Sequence, residues 1–141
     1  MKTNGKNANR LAILWHKLLQ NPNNSICTDK LKSASILDVN ILRILKEEKA
    51  VIIGDIGKVL SVTPSTLSSA IKRLEKSGLI KRVMCKADLR SYSLQLTDEG
   101  KKEIDEHCSK ELLIMAKMLS VLESEEEQET LLGLLEKMLY G

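Results

Sequence analysis

At 141 residues and 43% hydrophobic side chains, the chain is long enough for one compact domain with an added association layer, and at 2% aromatic content its core must be aliphatic. That scarcity excludes a stacking platform for single-stranded nucleic acid, and no apolar run reaches the length of a signal peptide or a membrane span. The net charge of +3 hides a division, because residues 1–53 carry nine Lys/Arg against four Asp/Glu, residues 54–97 eight against three, and residues 98–141 five against twelve. A polyanion would meet the middle of the chain and avoid its end.

Met1 to Asn9 is polar and expected to fray. From Arg10 to Gln20, Leu11, Leu14, Trp15, Leu18 and Leu19 form an amphipathic helix whose apolar side is too wide for solvent and needs a partner surface. Asn21-Pro22-Asn23-Asn24-Ser25 breaks it. Residues 26–33 carry no clear pattern. Ile36 to Glu47 reads as a helix with Leu37, Ile41, Leu42, Ile44 and Leu45 inward, Val51 to Ile53 as a short strand, and Gly54 to Leu60 as the first helix of a pair.

The second helix of that pair is the most informative stretch. Thr63 suits an N-cap and Pro64 the first helical position, where a missing N–H costs nothing. Leu67, Ala70, Ile71 and Leu74 recur at i, i+3, i+4 and i+7 on one face. Ser65, Thr66, Ser68, Ser69, Lys72, Arg73 and Lys76 occupy the other, a set of hydroxyls and cations suited to phosphates and base edges. Gly78 stops the helix. Leu79 to Cys85 then turns extended, Lys86 to Arg90 makes a polar tip, and Tyr92, Leu94 and Leu96 alternate with Ser93 and Gln95 as a second strand. Helix, turn, helix and a two-stranded wing follow in order.

Three pieces in register carry a family resemblance: RLEKSGLIKR from Arg73 to Arg82, the tip Asp88-Leu89-Arg90, and the exit Leu94-Gln95-Leu96-Thr97-Asp98-Glu99-Gly100. Together they resemble the MarR group of bacterial transcription regulators, closely over Ile36 to Gly100 and in general plan beyond. The sequence departs from the family pattern at Ser61, where such turns often have Gly, and at Gly57, where a small Ala is usual. The resemblance implies that Arg90 reaches into a minor groove with Asp88 holding it, which fits the weak hydration of arginine and the concentrated potential of a narrow groove. It also implies a small molecule or oxidant that modulates DNA affinity.

Thr97 caps the longest helix, along which Ile104, Cys108, Leu112, Met115, Leu119 and Leu122 make a seam for another helix. A final helix starts at Ser124, with Glu127 completing a capping box, and is expected to bury Leu131, Leu134, Leu135 and Met138. Apolar terminal helices on a domain whose core is already built point to a homodimer interface, with Leu11, Leu14, Trp15, Leu18, Leu112, Met115, Leu119, Leu131, Leu135 and Met138 as its residues.

The expected fold is mainly α: a winged helix-turn-helix of three helices plus a small β-wing, with N- and C-terminal helices as a dimerisation layer. The divisions are 1–33 for the N-terminal dimerisation helix and connecting loop, 34–97 for the DNA-binding domain, and 98–141 for the C-terminal dimerisation helices. Ser65, Thr66 and Ser69 are candidates for base edges or phosphates, Ser68 shares their face, Lys72 and Arg73 suit the DNA backbone, and Lys86 and Ser91 flank the wing as phosphate neighbours. The expected partners are a pseudo-palindromic double-stranded operator, a second copy of the chain and a small-molecule effector, without membrane contact, in the cytoplasm. The alternative is a winged helix that binds a protein partner without specific DNA binding.

Other chemistries have little to stand on. Cys27, Cys85 and Cys108 are an odd count without zinc spacing, and a sensing thiol would need a lowered pKa and access. His16 and His107 lack a ligand set, so no metal or other cofactor is expected. Two His, no phosphate loop and no carboxylate pair in an apolar setting argue against an enzyme.

Overall fold

The computed structural model describes residues 4–21, 30–85 and 91–141. Its elements run α1 (Gly5–Gln20), α2 (Ile36–Glu47), β1 (Val51–Ile52), α3 (Ile53–Leu60), α4 (Pro64–Lys76), β2 (Ile80–Met84), β3 (Tyr92–Leu96), α5 (Asp98–Leu119) and α6 (Glu125–Tyr140). The fold is mainly helical with a three-stranded antiparallel sheet in the order β1-β3-β2. The chain divides into two compact units, residues 27–109 and residues 1–26 with 110–141.

The unit of residues 27–109 is a winged helix-turn-helix around one aliphatic core. Ile41, Leu42 and Leu45 of α2, Ile56 of α3, Leu67, Ala70, Ile71 and Leu74 of α4, and Leu94 and Leu96 of β3 are all buried there. Leu31 and Ile104, on either side of residues 34–97, are fully buried in the same cluster. The β2–β3 ladder pairs Ile80 with Leu96 through Met84 with Tyr92, and the Cys85 amide extends it to the Ser91 carbonyl at 3.0 Å. β1 adds Val51 opposite Leu94 and Ile52 opposite Ser93.

Two tight joints set the placement of α4. Between α3 and α4 the chain reverses through Ser61, which adopts a left-handed conformation at φ 51° and ends α3 by donating its amide to the Lys58 carbonyl at 3.3 Å. A non-glycine residue pays about 1–2 kcal/mol for that conformation, and a short polar side chain tolerates it better than most. Gly57 lies under the turn, where an added Cβ would come 3.3 Å from Leu67 Cδ2. At the far end of α4, the Thr97 hydroxyl donates to the Gly78 carbonyl at 2.6 Å and accepts the Gly100 amide at 3.0 Å, while the Thr97 amide donates to the Leu79 carbonyl at 3.0 Å. Only glycine fits at position 100, because a Cβ there would lie 1.9 Å from the Leu79 oxygen.

In the unit of residues 1–26 with 110–141, α1 and α6 have no buried residue at all. α6 is capped by Ser124, whose Oγ accepts the Glu127 amide at 3.2 Å, but the expected capping box is not closed, because the Glu127 carboxylate accepts the amide of Glu123, at 2.6 Å, one residue before the cap.

Several expectations need correction. α1 starts at Gly5 rather than Arg10, because the Asn4 side chain caps it by accepting the Lys6 amide at 3.1 Å. β1 stops at Ile52, and Ile53 already belongs to α3. Leu122 lies past the end of α5. Leu131, Leu134, Leu135 and Met138, expected to be buried, are exposed in the single chain, since a broad apolar face needs another surface to cover it.

Candidate nucleic-acid interface

The candidate interface is built on α4. Thr63 caps this helix by accepting the Thr66 amide at 3.3 Å and donates its hydroxyl to Thr66 Oγ1 at 2.8 Å. Leu67, Ala70, Ile71 and Leu74 anchor the inner face, which leaves Ser65, Thr66, Ser68, Ser69, Lys72 and Arg73 exposed. The hydroxyls cluster in the N-terminal half and the cations in the C-terminal half.

Two of the cations near α4 are held by carboxylates. Arg73 donates to Asp38 of α2 through Nη2–Oδ1 at 2.8 Å and Nε–Oδ2 at 3.4 Å. Asp38 is buried and also accepts the Ser35 amide at 3.2 Å, while its own amide donates to Ser35 Oγ at 3.1 Å, closing the capping box of α2. The hydrogen bond and the negative charge of Asp38 raise the Arg73 guanidinium above its already high usual pKa, so it is a permanent cation. Arg82 of β2 likewise donates to Glu75 at 2.7 Å, which neutralises the carboxylate at the side of α4. Ser35-Ile36-Leu37-Asp38 has the capping-box pattern that signals the cap of α2, but nothing in the sequence pattern signals the bond from Asp38 to Arg73.

Beside α4 lies a cleft of about 350 Å³ floored by Ile53, Leu67 and Ile71, with Lys58, Ser68 and Arg82 among its lining. Of the wing candidates, Lys86, Asp88 and Arg90 lie outside the described residues, and Ser91 is half-buried at the start of the returning strand. The expected dimer residues fall on α1, α5 and α6, where Leu11, Leu14, Trp15, Leu18, Leu112, Met115, Leu131, Leu135 and Met138 are exposed in the single chain and Leu119 is half-buried. Cys85 and Cys108 are free thiols, both half-buried, and Cys27 lies outside the described residues. His16 is exposed on α1 and His107 buried on α5. Among the described residues no three of His, Cys, Asp or Glu come together as a metal-ligand group. No described helix is long and apolar enough to cross a membrane.

Residues 35–92 match the MarR family. The HTH-type transcriptional regulator PecS of Dickeya dadantii is 37% identical over 93 residues, covering 61% of this chain and 53% of that protein. The HTH-type transcriptional repressor MdtR of Bacillus subtilis is 35% identical over 86 residues, covering 61% of this chain and 56% of that protein. The chain thus spans about half the length of these two relatives, both of them transcriptional regulators. Among solved structures, Streptococcus pneumoniae FabT in complex with DNA has the same fold, with a TM-score of 0.82 at 22% identity over 98% of this chain and 96% of that one.

Proposed function

We propose, from the match of residues 35–92 to the MarR family and the likeness to two HTH-type transcriptional regulators, that the chain is a MarR-type winged helix-turn-helix regulator that acts as a homodimeric repressor on a pseudo-palindromic duplex. The observation that carries this reading is the two-faced α4, apolar where it meets the core and hydroxyl-rich, then cationic, where it meets solvent. Residues 34–97 act as the DNA-binding domain, and residues 1–33 and 98–141 supply the dimerisation layer. Two copies of α4 then enter successive major grooves about 34 Å apart, Ser65, Thr66, Ser68 and Ser69 reach base edges and phosphates, and Lys72 holds the backbone. The wings grip the flanking minor grooves, with Arg90 inserted, Asp88 holding it, and Lys86 and Ser91 as phosphate neighbours. The exposed apolar faces of α1 and α6 support the dimer, because a monomer rarely leaves so much contiguous apolar surface to water. The acidic C-terminal third supports the polarity of the complex, with DNA held away from it.

The cleft beside α4 supports modulation by a small molecule, since a compound there would press on Ser68 and Arg82 and disfavour the DNA-bound arrangement. Such a regulator works in the cytoplasm, where its operator is.

The test is selection from a randomised duplex pool at two salt concentrations. An enriched inverted repeat with half-sites about one helical turn apart is the expected result, with affinity falling steeply as salt rises. Equal retention of every sequence, or none at low salt, would overturn the repressor reading and favour a protein-binding module.

A further inference from the structure

We propose that Asp38 is a positioning residue for DNA recognition: by gripping Arg73 it fixes the roll of α4 about its own axis, and so decides which of that helix's hydroxyls reach base edges. The inference rests on the DNA-binding reading above and adds to it a residue of a different helix that never touches the duplex.

The geometry is that of a strut with one end built into the fold. Asp38 has 4% of its surface exposed, and a carboxylate at such a place is stable only when its oxygens are satisfied. Oδ2 takes the Ser35 amide, so the carboxylate is locked to the first turn of its own helix before any other helix is considered. Arg73 then approaches with two donors of its planar fork, Nη2 to Oδ1 and Nε to Oδ2. Two parallel bonds define an orientation as well as a distance, which a single ammonium contact would not.

The place where this strut meets α4 matters. Thr66, Ser69 and Arg73 are spaced three and four residues apart, so they share one stripe of the helix surface. Holding Arg73 therefore holds the stripe that carries two of the base-reading candidates. With side chains about 5–6 Å from a helix axis, a roll of about 10° displaces a hydroxyl by roughly 1 Å, a large fraction of the tolerance of a hydrogen bond. The packing of Leu67, Ala70, Ile71 and Leu74 and the joints at either end set the seat of α4, and the directional bonds between Asp38 and Arg73 add a constraint on its roll from the exposed side.

The competing role for Arg73 is a direct phosphate contact, and the two roles differ in sign. If Arg73 neutralises a phosphate, removing the charge of Asp38 frees it and strengthens binding, whereas removing Arg73 weakens binding to every duplex and lowers the salt slope by about one. If Asp38 and Arg73 position α4, both substitutions act alike although they change the net charge in opposite directions.

The experiment compares the unaltered chain with Asp38→Asn, Arg73→Met, the double variant and Arg73→Lys. Binding is measured to the selected operator and to a scrambled duplex of equal length over a range of salt, at a temperature where melting curves show each protein folded. The expected result is a loss of at least tenfold in the operator-to-scrambled ratio for Asp38→Asn and Arg73→Met alike. The double variant should be no worse than the weaker single one, Arg73→Lys should fail to restore the ratio, and the salt slope on scrambled DNA should stay as in the unaltered chain. The proposal is overturned if Asp38→Asn binds the operator as well as or better than the unaltered chain, or if the variants melt earlier yet keep the full ratio. Should Asp38→Asn not fold, Arg73→Lys decides alone: it keeps the charge and loses the fork, so an undiminished ratio sinks the idea. A ratio near one for the unaltered chain would instead sink the repressor reading itself, and this inference with it.

Discussion

The two compact units of this chain are finished to different degrees. In residues 27–109 the aliphatic side chains meet one another, and Leu31, Ile41, Leu42, Ile56, Leu94 and Ile104 have no exposed surface. In residues 1–26 with 110–141, the apolar helices α1 and α6 hold no buried residue: Trp15 is 57% exposed and Met138 65%. The difference shows that amphipathic pattern specifies a helix face but not its partner. One unit contains its own partner surfaces within the same chain, and the other leaves its apolar faces uncovered in the single chain, as the proposed dimer requires.

The sharpest way to break that comparison is to place a charge on the unfinished side. Leu135→Glu should raise the dimer dissociation constant by about 10²- to 10³-fold, because an unpaired charge would be buried between copies. Sedimentation should show the mass fall by half at micromolar concentration, with helical content from residues 27–109 retained, and an unchanged mass would remove α6 from the interface. On the finished side, Leu42→Ala should lower the unfolding free energy by about 2–5 kcal/mol, and the loss relative to the unaltered chain should be the same at every protein concentration. A loss that varies with concentration would mean that the winged unit also depends on its partner.

Smaller effects test the local devices. Thr63→Ala should cost about 1 kcal/mol in thermal unfolding, as the loss of an N-cap does, and no change would mean that the cap contributes nothing in solution. Least of all should come from the surface pair between Lys46 and Asp105, 3.2 Å apart with both side chains more than a third exposed. The hydrogen bond to Asp105 raises the Lys46 pKa above its ordinary 10.5, against a smaller opposing loss of hydration. The pair's contribution is therefore complete below pH 10.5 and disappears as pH rises through the higher folded value. Lys46→Met should flatten this alkaline limb of the stability curve, by no more than about 1 kcal/mol, and a limb that persists would assign it to another group.

Much of the finished unit was legible because its signals are local. α2 occupies Ile36–Glu47 and α4 Pro64–Lys76, as their apolar spacing and caps indicate, and the wing strands fall where the period changes from helical to alternating. The start of α1 was not legible from apolar spacing, since Gly5 to Asn9 offers none and only the cap at Asn4 marks it. The bond between Asp38 and Arg73 spans 35 residues, and no periodicity within either helix encodes it. The exposed faces of α1 and α6 were legible as apolar, but apolar spacing within one helix does not encode what covers them.

Gly100 bears on how chains of this kind can be recombined. The end of β3 at Leu96 looks like a natural place to splice the terminal helices of one regulator onto the winged unit of another. Yet the joint at that place is made of both sides at once, with Thr97 and Gly100 closing on the carbonyls of Gly78 and Leu79 and with no space for even one methyl group. A chimera cut between Leu96 and Thr97 inherits half of this fitting from each parent, and its junction closes only if the incoming segment brings a glycine at position 100. The workable seam lies farther along α5, beyond Ile104, where the first turns of the helix travel with the unit whose core they complete.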